Sequence, residues 1–288
     1  MKSKFSAYVE LAKPGIIKMV LVTTALGFFL AKKDFSQIGT LIITLIGTAL
    51  SCGGSGALNH YLERDIDCKM KRTANRPIPS GTIAAADALS YGITLVLLGT
   101  TILVAYVNVL TGFLALLTAF LYIFVYTPLK RITWWNTFIG AIPGAIPPLG
   151  GWAAACGHLD LGAWVLFAIL FVWQHPHFYA IAWMYKDDYK QAGFKMLPVV
   201  DPSGVSTFRQ IILYSIILIP ISLLPSFINM SSWLYFSGAL VLGIFMLLSG
   251  LKMTRIQTTQ AARGLLRCSI VYLPMLFVFI VMDAILIG

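Results

Sequence analysis

Long apolar runs alternate with short polar ones along the whole chain. Nine apolar segments stand out, at about residues 15–31, 38–61, 87–107, 110–128, 137–156, 162–185, 209–228, 232–251 and 268–287. None shows the strict alternation that a barrel strand needs. Several are long enough to carry an α-helix across a bilayer, and in hydrocarbon a backbone satisfies its own hydrogen bonds only as a helix or a closed barrel. The pattern predicts an all-α, polytopic integral membrane protein, with one transmembrane domain over residues 1–288 and about nine helices around a central cavity. The start, MKSKFSAYVELAKPGIIKMV, has the basic-then-apolar order of a secretory leader. Lys13 and Lys18 interrupt its apolar part and no small-x-small cleavage signal follows, so the first helix is expected to stay uncleaved.

Charge then orients the bundle. The 288 residues are 58% hydrophobic and 11% charged, with a formal net charge of +10. That excess would suit nucleic acid on a soluble protein, but here the cations sit in short loops between apolar runs, where anionic lipid and the positive-inside rule account for them. No nucleic-acid partner is expected. With the N-terminus in the cytoplasm, 19 of the 21 lysines and arginines fall on the inner side and only Lys32 and Lys33 on the outer. Nine spans then leave the C-terminus outside. The outer connections are short and nearly uncharged, whereas the second-to-third and sixth-to-seventh connections are long and mixed in charge, so chemistry is expected on the cytoplasmic side. Cys52, Cys68, Cys156 and Cys268 are widely separated and form no metal-binding spacing.

The stretch from Asn59 to Gly81, NHYLERDIDCKMKRTANRPIPSG, concentrates the charge of an otherwise apolar protein. If it continues the second apolar helix, Asn59, Glu63 and Asp67 follow at i, i+4 and i+8 and project from one face over roughly 12 Å. Oxygen ligands on one stripe suit a hard divalent cation such as Mg²⁺, which keeps other positions for water and phosphate oxygens. The cations that follow would meet those phosphates, although each of them taken singly reads equally well as an orienting loop charge. Asp65 points away from this stripe and is expected to face solvent or pair locally.

Two further polar stretches lie at the same predicted membrane face. The sixth span runs into WQHPHFYAIAWMYKDDYKQAGFKMLPVV, where one continuous helix would align His177, Ile181, Met184 and Asp188. Spans 2–4 and 6–8 read as loosely repeated halves with the site between them. Between the two clusters, YTPLKRITWWNTFIGAIPGAIPPLGGW places Tyr126, Lys130, Arg131 and Asn136 at or near the inner face. Pro148 is expected to kink the fifth helix and open a cavity.

These segments, together with KPGIIKMVLVTTALGFFLA near the start, resemble the intramembrane prenyltransferases of the UbiA type over most of the chain, and within them the branch that acts on haem. The wider superfamily usually carries Asn-Asp-x-x-Asp-x-x-x-Asp in its first motif. Here His60 and Glu63 replace two of those aspartates, while the second motif keeps Asp187 and Asp188 behind His175 and His177, departures that point to the haem branch. The resemblance implies a prenyltransferase of the bacterial cytoplasmic (inner) membrane, with its active site facing the cytoplasm. It would move a farnesyl group from farnesyl diphosphate to a vinyl group of protohaem IX, with addition of water, giving haem O for terminal oxidase assembly. Mg²⁺ would be held by Asn59, Glu63 and Asp67 on one side and Asp188, with Asp187, on the other. Lys69, Arg72, Arg76, Lys130 and Arg131 would bind the diphosphate. Haem A synthase or terminal oxidase assembly factors are the partners it implies. Histidine is a natural haem ligand, so His175 and His177 are haem-contact candidates, with helix packing as their alternative. His60 is expected to act locally and His158 to sit solvated in an outer loop. Two rivals remain open: prenyl transfer to a quinone precursor, and a secondary transporter, whose ionisable residues would gather near the bilayer midplane.

Overall fold

The computed structural model describes residues 3–33 and 36–287, so Lys2 of the predicted inner arm lies outside the described residues. Among them, nine helices or helix pairs are long and apolar enough to cross a membrane. The chain opens with a short helix α1 (Lys4–Leu11), whose Ser3 cap accepts the Ser6 N–H at 3.2 Å. It buries Ala7 and Leu11 and leaves Phe5 79% exposed. The spans follow as α2 (Pro14–Lys32), α3 (Ile38–Asp67), α4 (Ala85–Tyr106), α5 (Val109–Phe120) with its continuation α6 (Thr127–Ile132), the pair α7 (Asn136–Ala145) and α8 (Pro147–Cys156), and α9 (Leu161–Met184). Two short helices, α10 (Lys186–Gln191) and α11 (Leu197–Val200), lead to α12 (Val205–Phe227), α13 (Trp233–Ile256) and α14 (Thr259–Ile287).

Lipid supplies no hydrophobic drive between helices, so close backbone approach and internal polar contacts hold such a bundle. At the α2–α8 crossing, a Cβ on Gly27 would fall 2.1 Å from the Pro148 carbonyl oxygen, and one on Gly151 1.9 Å from that of Thr24. Only glycine fits there. The scattered polar residues of the spans serve as caps and ties: Asn108 accepts the Thr111 N–H at 2.8 Å while donating to the Ala153 carbonyl at 2.8 Å, which joins α5 to α8. Buried Asp283 of α14 accepts from both the backbone N–H and the hydroxyl of Ser232 at the start of α13.

Three spans are interrupted, two of them where continuous helices are expected. Between α5 and α6 the chain winds as a π-helix over Leu121–Tyr126. The fifth span breaks at Ile146, directly ahead of Pro147 and two residues before the expected kink at Pro148, because two adjacent prolines remove the donors that would bind the preceding turn. The sixth span ends at Met184, and Tyr185 (φ −114°, ψ 23°) turns the chain into α10. His177 and Asp188 therefore do not share one helical face. The turn lets Tyr189, Ala192, Phe194 and Met196 fold back and bury themselves against Ile66 and Met70 at the end of α3, which a straight helix running on into water would leave exposed.

Candidate active site

The α-helical period keeps Asn59, Glu63 and Asp67 on one face of α3, and the structure buries all three, at 1%, 5% and 0% exposure. Buried carboxylates at the end of a membrane helix persist only with partners, and each group on the stripe has one cation. The Lys13 amine donates to Asn59 Oδ1. Lys130 Nζ donates to Glu63 Oε1 at 2.8 Å. Arg76 Nη1 lies 2.8 Å from both oxygens of Asp67. The three cations come from three elements: the α1–α2 junction, α6 and the loop after α3. Thr73 closes that loop by donating to the Asp67 carbonyl at 2.8 Å.

Lys13 holds its place through an unusual backbone. It sits in the left-handed region (φ 57°, ψ 63°) directly before Pro14, a conformation that costs a non-glycine residue energy and that marks functional sites when the surroundings enforce it. Its amine also donates to the Tyr122 hydroxyl at 3.3 Å. Burial pulls the pKa of this amine from 10.5 to about 7, with attraction to Glu63 and Asp67 opposing and repulsion from Lys130 and Arg76 reinforcing the fall. Tyr122 and Tyr126 both belong to the π-helical turn, and the Lys130 amine lies 4.6 Å from the centre of the Tyr126 ring. A single π turn inside an α-helix is frequently a functional device.

The loops of the second cluster close over this group. Lys195 donates its backbone N–H to the Lys130 carbonyl at 2.6 Å, and fully buried Asn136 donates to the Lys195 carbonyl at 3.1 Å and to that of Thr133 at 2.6 Å. Arg72 packs over the rings of Tyr185 at 5.0 Å and Tyr189 at 5.8 Å, which ties the first motif to α10. Asp188 is half-buried there, and Asp187, Lys69 and Arg131 are exposed. Among the described residues no three His, Cys, Asp or Glu side chains converge as a metal-binding group, so neither aspartate of α10 completes a three-carboxylate cluster with Glu63 and Asp67. Asp65 is exposed beside Arg64 at 3.8 Å, in the pairing role expected of it.

The histidines separate. His175 is fully buried, stacked on Tyr214 at 3.7 Å between ring centres, with Nδ1 2.7 Å from the Phe171 carbonyl. A carbonyl only accepts, so Nδ1 carries the proton and the Nε2 lone pair is left without a partner. His177 faces α14 instead, with Nδ1 2.8 Å from Ser269 Oγ. That hydroxyl gives its hydrogen to the Leu266 carbonyl at 2.7 Å, so it accepts from His177 and Nε2 again keeps the lone pair. Both imidazoles thus hold the tautomer in which Nε2 can bind iron. His158 is exposed, as expected, and His60 is buried beside the stripe.

Chemically, the stripe offers oxygen donors of the kind Mg²⁺ takes, and the cations on it are already arranged for an anion with several oxygens. Lys13, Tyr122 and Thr127 complete this arrangement, although the sequence points to Lys13 only as an inner charge and a break in a leader-like start and to the other two not at all. The available signal is a lysine directly before Pro14-Gly15, at the start of the first apolar span.

The sequence profile of the UbiA prenyltransferase family matches residues 20–278. A protoheme IX farnesyltransferase of Solibacter usitatus (strain Ellin6076) is 48% identical over 285 residues, covering 96% of this chain and 98% of that protein. One from Salinibacter ruber (strain DSM 13855 / M31) is 46% identical over 276 residues, again covering 96% and 98%. A solved digeranylgeranylglyceryl phosphate synthase superposes with a TM-score of 0.83 at 15% identity, covering 99% of each chain. The UbiA homolog from Archaeoglobus fulgidus bound to GPP and Mg²⁺ gives 0.68 at 16% identity, covering 95% of this chain and 99% of that one. Those two likenesses speak for the fold alone. With its profile match running through nearly every span and relatives close to half identical end to end, the chain belongs to the UbiA prenyltransferase family.

Proposed function

We propose that this prenyltransferase moves a farnesyl group from farnesyl diphosphate to a vinyl group of protohaem IX, with addition of water, to give haem O. The observation that carries the proposal is the buried stripe of Asn59, Glu63 and Asp67 with Lys13, Lys130 and Arg76 laid on it. The acceptor follows from the protoheme IX farnesyltransferases to which the chain is similar. Asn59, Glu63 and Asp67 would hold Mg²⁺, with Asp188 and Asp187 approaching from α10. The metal supplies Lewis-acid charge at the diphosphate oxygens.

Lys13, Lys130 and Arg76 turn from the stripe to the diphosphate, with Arg72, Lys69 and Arg131 at its mouth. As the allylic C–O bond breaks, its electron pair goes to the diphosphate, where these cations stabilise the growing charge. The rings of Tyr122 and Tyr126 border the place where the allylic cation forms, and ring faces favour positive charge. The terminal vinyl carbon of protohaem attacks that cation. Water then captures the positive carbon next to the porphyrin and loses a proton, leaving a hydroxyethylfarnesyl group. His177, half-buried against α14, would fix the haem through Nε2, whereas the Nε2 of His175 is enclosed by protein, which suits its packing alternative. The site faces the cytoplasm of a bacterial inner membrane, where haem A synthase or oxidase assembly factors would take the product.

Purified protein in detergent, given protohaem, farnesyl diphosphate and Mg²⁺, is expected to yield a more hydrophobic haem whose mass matches hydroxyethylfarnesylation. A chelator should stop the reaction. With 4-hydroxybenzoate as acceptor no prenylated product is expected; prenylation of that ring with haem untouched would overturn the acceptor and leave the prenyltransferase chemistry standing.

A further inference from the structure

Asn59 is an amide, and only its oxygen ligates a metal, so its orientation decides whether the stripe works. We propose that Thr127 is the positioning residue that sets this orientation, an inference resting on the reading of Asn59 as a metal ligand. Asn59 Nδ2 donates to Thr127 Oγ1 at 3.0 Å, within a pair of side chains 1% and 5% exposed. Thr127 Oγ1 lies 2.8 Å from the Tyr122 carbonyl oxygen, which only accepts. The single hydroxyl hydrogen is therefore spent on Tyr122, and what Thr127 presents to Asn59 is a lone pair.

The π-helical turn makes this possible. Tyr122 accepts the backbone N–H of Thr127, five residues on, and the same carbonyl takes the Thr127 hydroxyl on its second lone pair. Reversing the amide would set Asn59 Oδ1 against that lone pair and its NH₂ against the Lys13 amine, which the oxygen now receives. The contact with Thr127 would be repulsive whatever the state of Lys13, and the contact with Lys13 would be repulsive while that amine is protonated, in a place where no bulk water can relieve them. Thr127 and Lys13 thus hold one orientation from opposite ends. When Lys13 turns to a diphosphate, Thr127 alone keeps the amide oxygen aimed along the stripe.

The test is Mn²⁺ binding, followed by electron paramagnetic resonance, to the full chain in detergent with inorganic diphosphate present. Thr127→Val keeps the shape and removes the hydroxyl; it should weaken Mn²⁺ binding about 10–100-fold, the range typical of losing an outer-shell partner of a metal ligand. Thr127→Ser restores the hydroxyl and should bind within about threefold of the native chain, well inside that range. Asn59→Ala is the reference and should lose binding at least as severely. Native-like affinity for Thr127→Val beside a weakened Asn59→Ala would overturn the positioning role and leave the metal site intact. Equal weakening by Ser and Val would show that packing, not the hydroxyl, matters, and would overturn it too. If Asn59→Ala binds normally, the underlying reading falls and this inference with it. Should Thr127→Val fail to fold, Thr127→Ala against Thr127→Ser makes the same comparison.

Discussion

Each acceptor on the α3 stripe meets a cation fixed by a different part of the chain, and the energetic consequences are individual. Arg76→Met would leave the Asp67 carboxylate buried beside Thr73 with no counter-charge, and removing one member of a buried pair costs about 3–5 kcal/mol. Since Arg76 is 22% exposed, the lower end is expected, read as a fall in melting temperature in detergent that the double change Asp67→Asn, Arg76→Met largely reverses. Asp67→Asn alone should fold and lose most turnover, because a metal ligand acts mainly on the reaction; near-native activity at limiting Mg²⁺ would remove Asp67 from the site. Lys13→Met should lower kcat/KM for farnesyl diphosphate by about 100-fold or more, as losses of transition-state charge stabilisation do, without lowering the melting temperature. The stripe was legible in the sequence because a four-residue spacing is a helical property that needs no knowledge of the fold. Lys13 was not, since its partner is 46 positions away and its near neighbours explain its charge equally well as a topology signal.

At the level of elements, length decides where the chemistry sits. With 30 residues α3 is about 45 Å long, against a hydrocarbon layer of about 30 Å, so its polar last turns extend beyond the lipid tails and are buried by other parts of the protein instead. Apolar run length made the nine spans readable in advance. The break of the fifth span was readable from its prolines, but the end of the sixth was not, because the turn at Tyr185 is set by burial of Tyr189 and Phe194 on the end of α3, a tertiary contact with no local signature. The same holds for the π turn, which lies in an unbroken apolar run. The α2–α8 contact gives a clean test of packing: Gly27→Val drives a side chain into the Pro148 carbonyl, a backbone atom with little room to yield. Overpacking of this kind costs about 1–3 kcal/mol, and loss of stability in detergent should exceed that of Gly15→Val, where a Cβ meets nothing within 4 Å.

For the molecule as a whole, the lopsided cation count predicts which end faces which compartment. A cysteine placed at Ser80, in the exposed loop after the stripe, should resist an impermeant thiol reagent in intact cells and react once the membrane is opened. Labelling from outside would invert the topology and put the site in the wrong compartment. If the stripe takes Mg²⁺ and a diphosphate as proposed, the pairing of each stripe residue with a cation of its own chain makes it a coincidence detector. A divalent ion arriving alone must evict an ammonium or guanidinium group, and a diphosphate arriving alone must strip those cations from buried carboxylates. Together, each ligand repairs what the other disturbs, and linkage makes the benefit mutual. Mn²⁺ and inorganic diphosphate should each bind at least about tenfold more tightly in the other's presence, a coupling of about 1.4 kcal/mol; independent binding would refute it. On the proposed reading, such a site would favour a metal-bound prenyl diphosphate over free metal or the phosphodiesters of surrounding lipids.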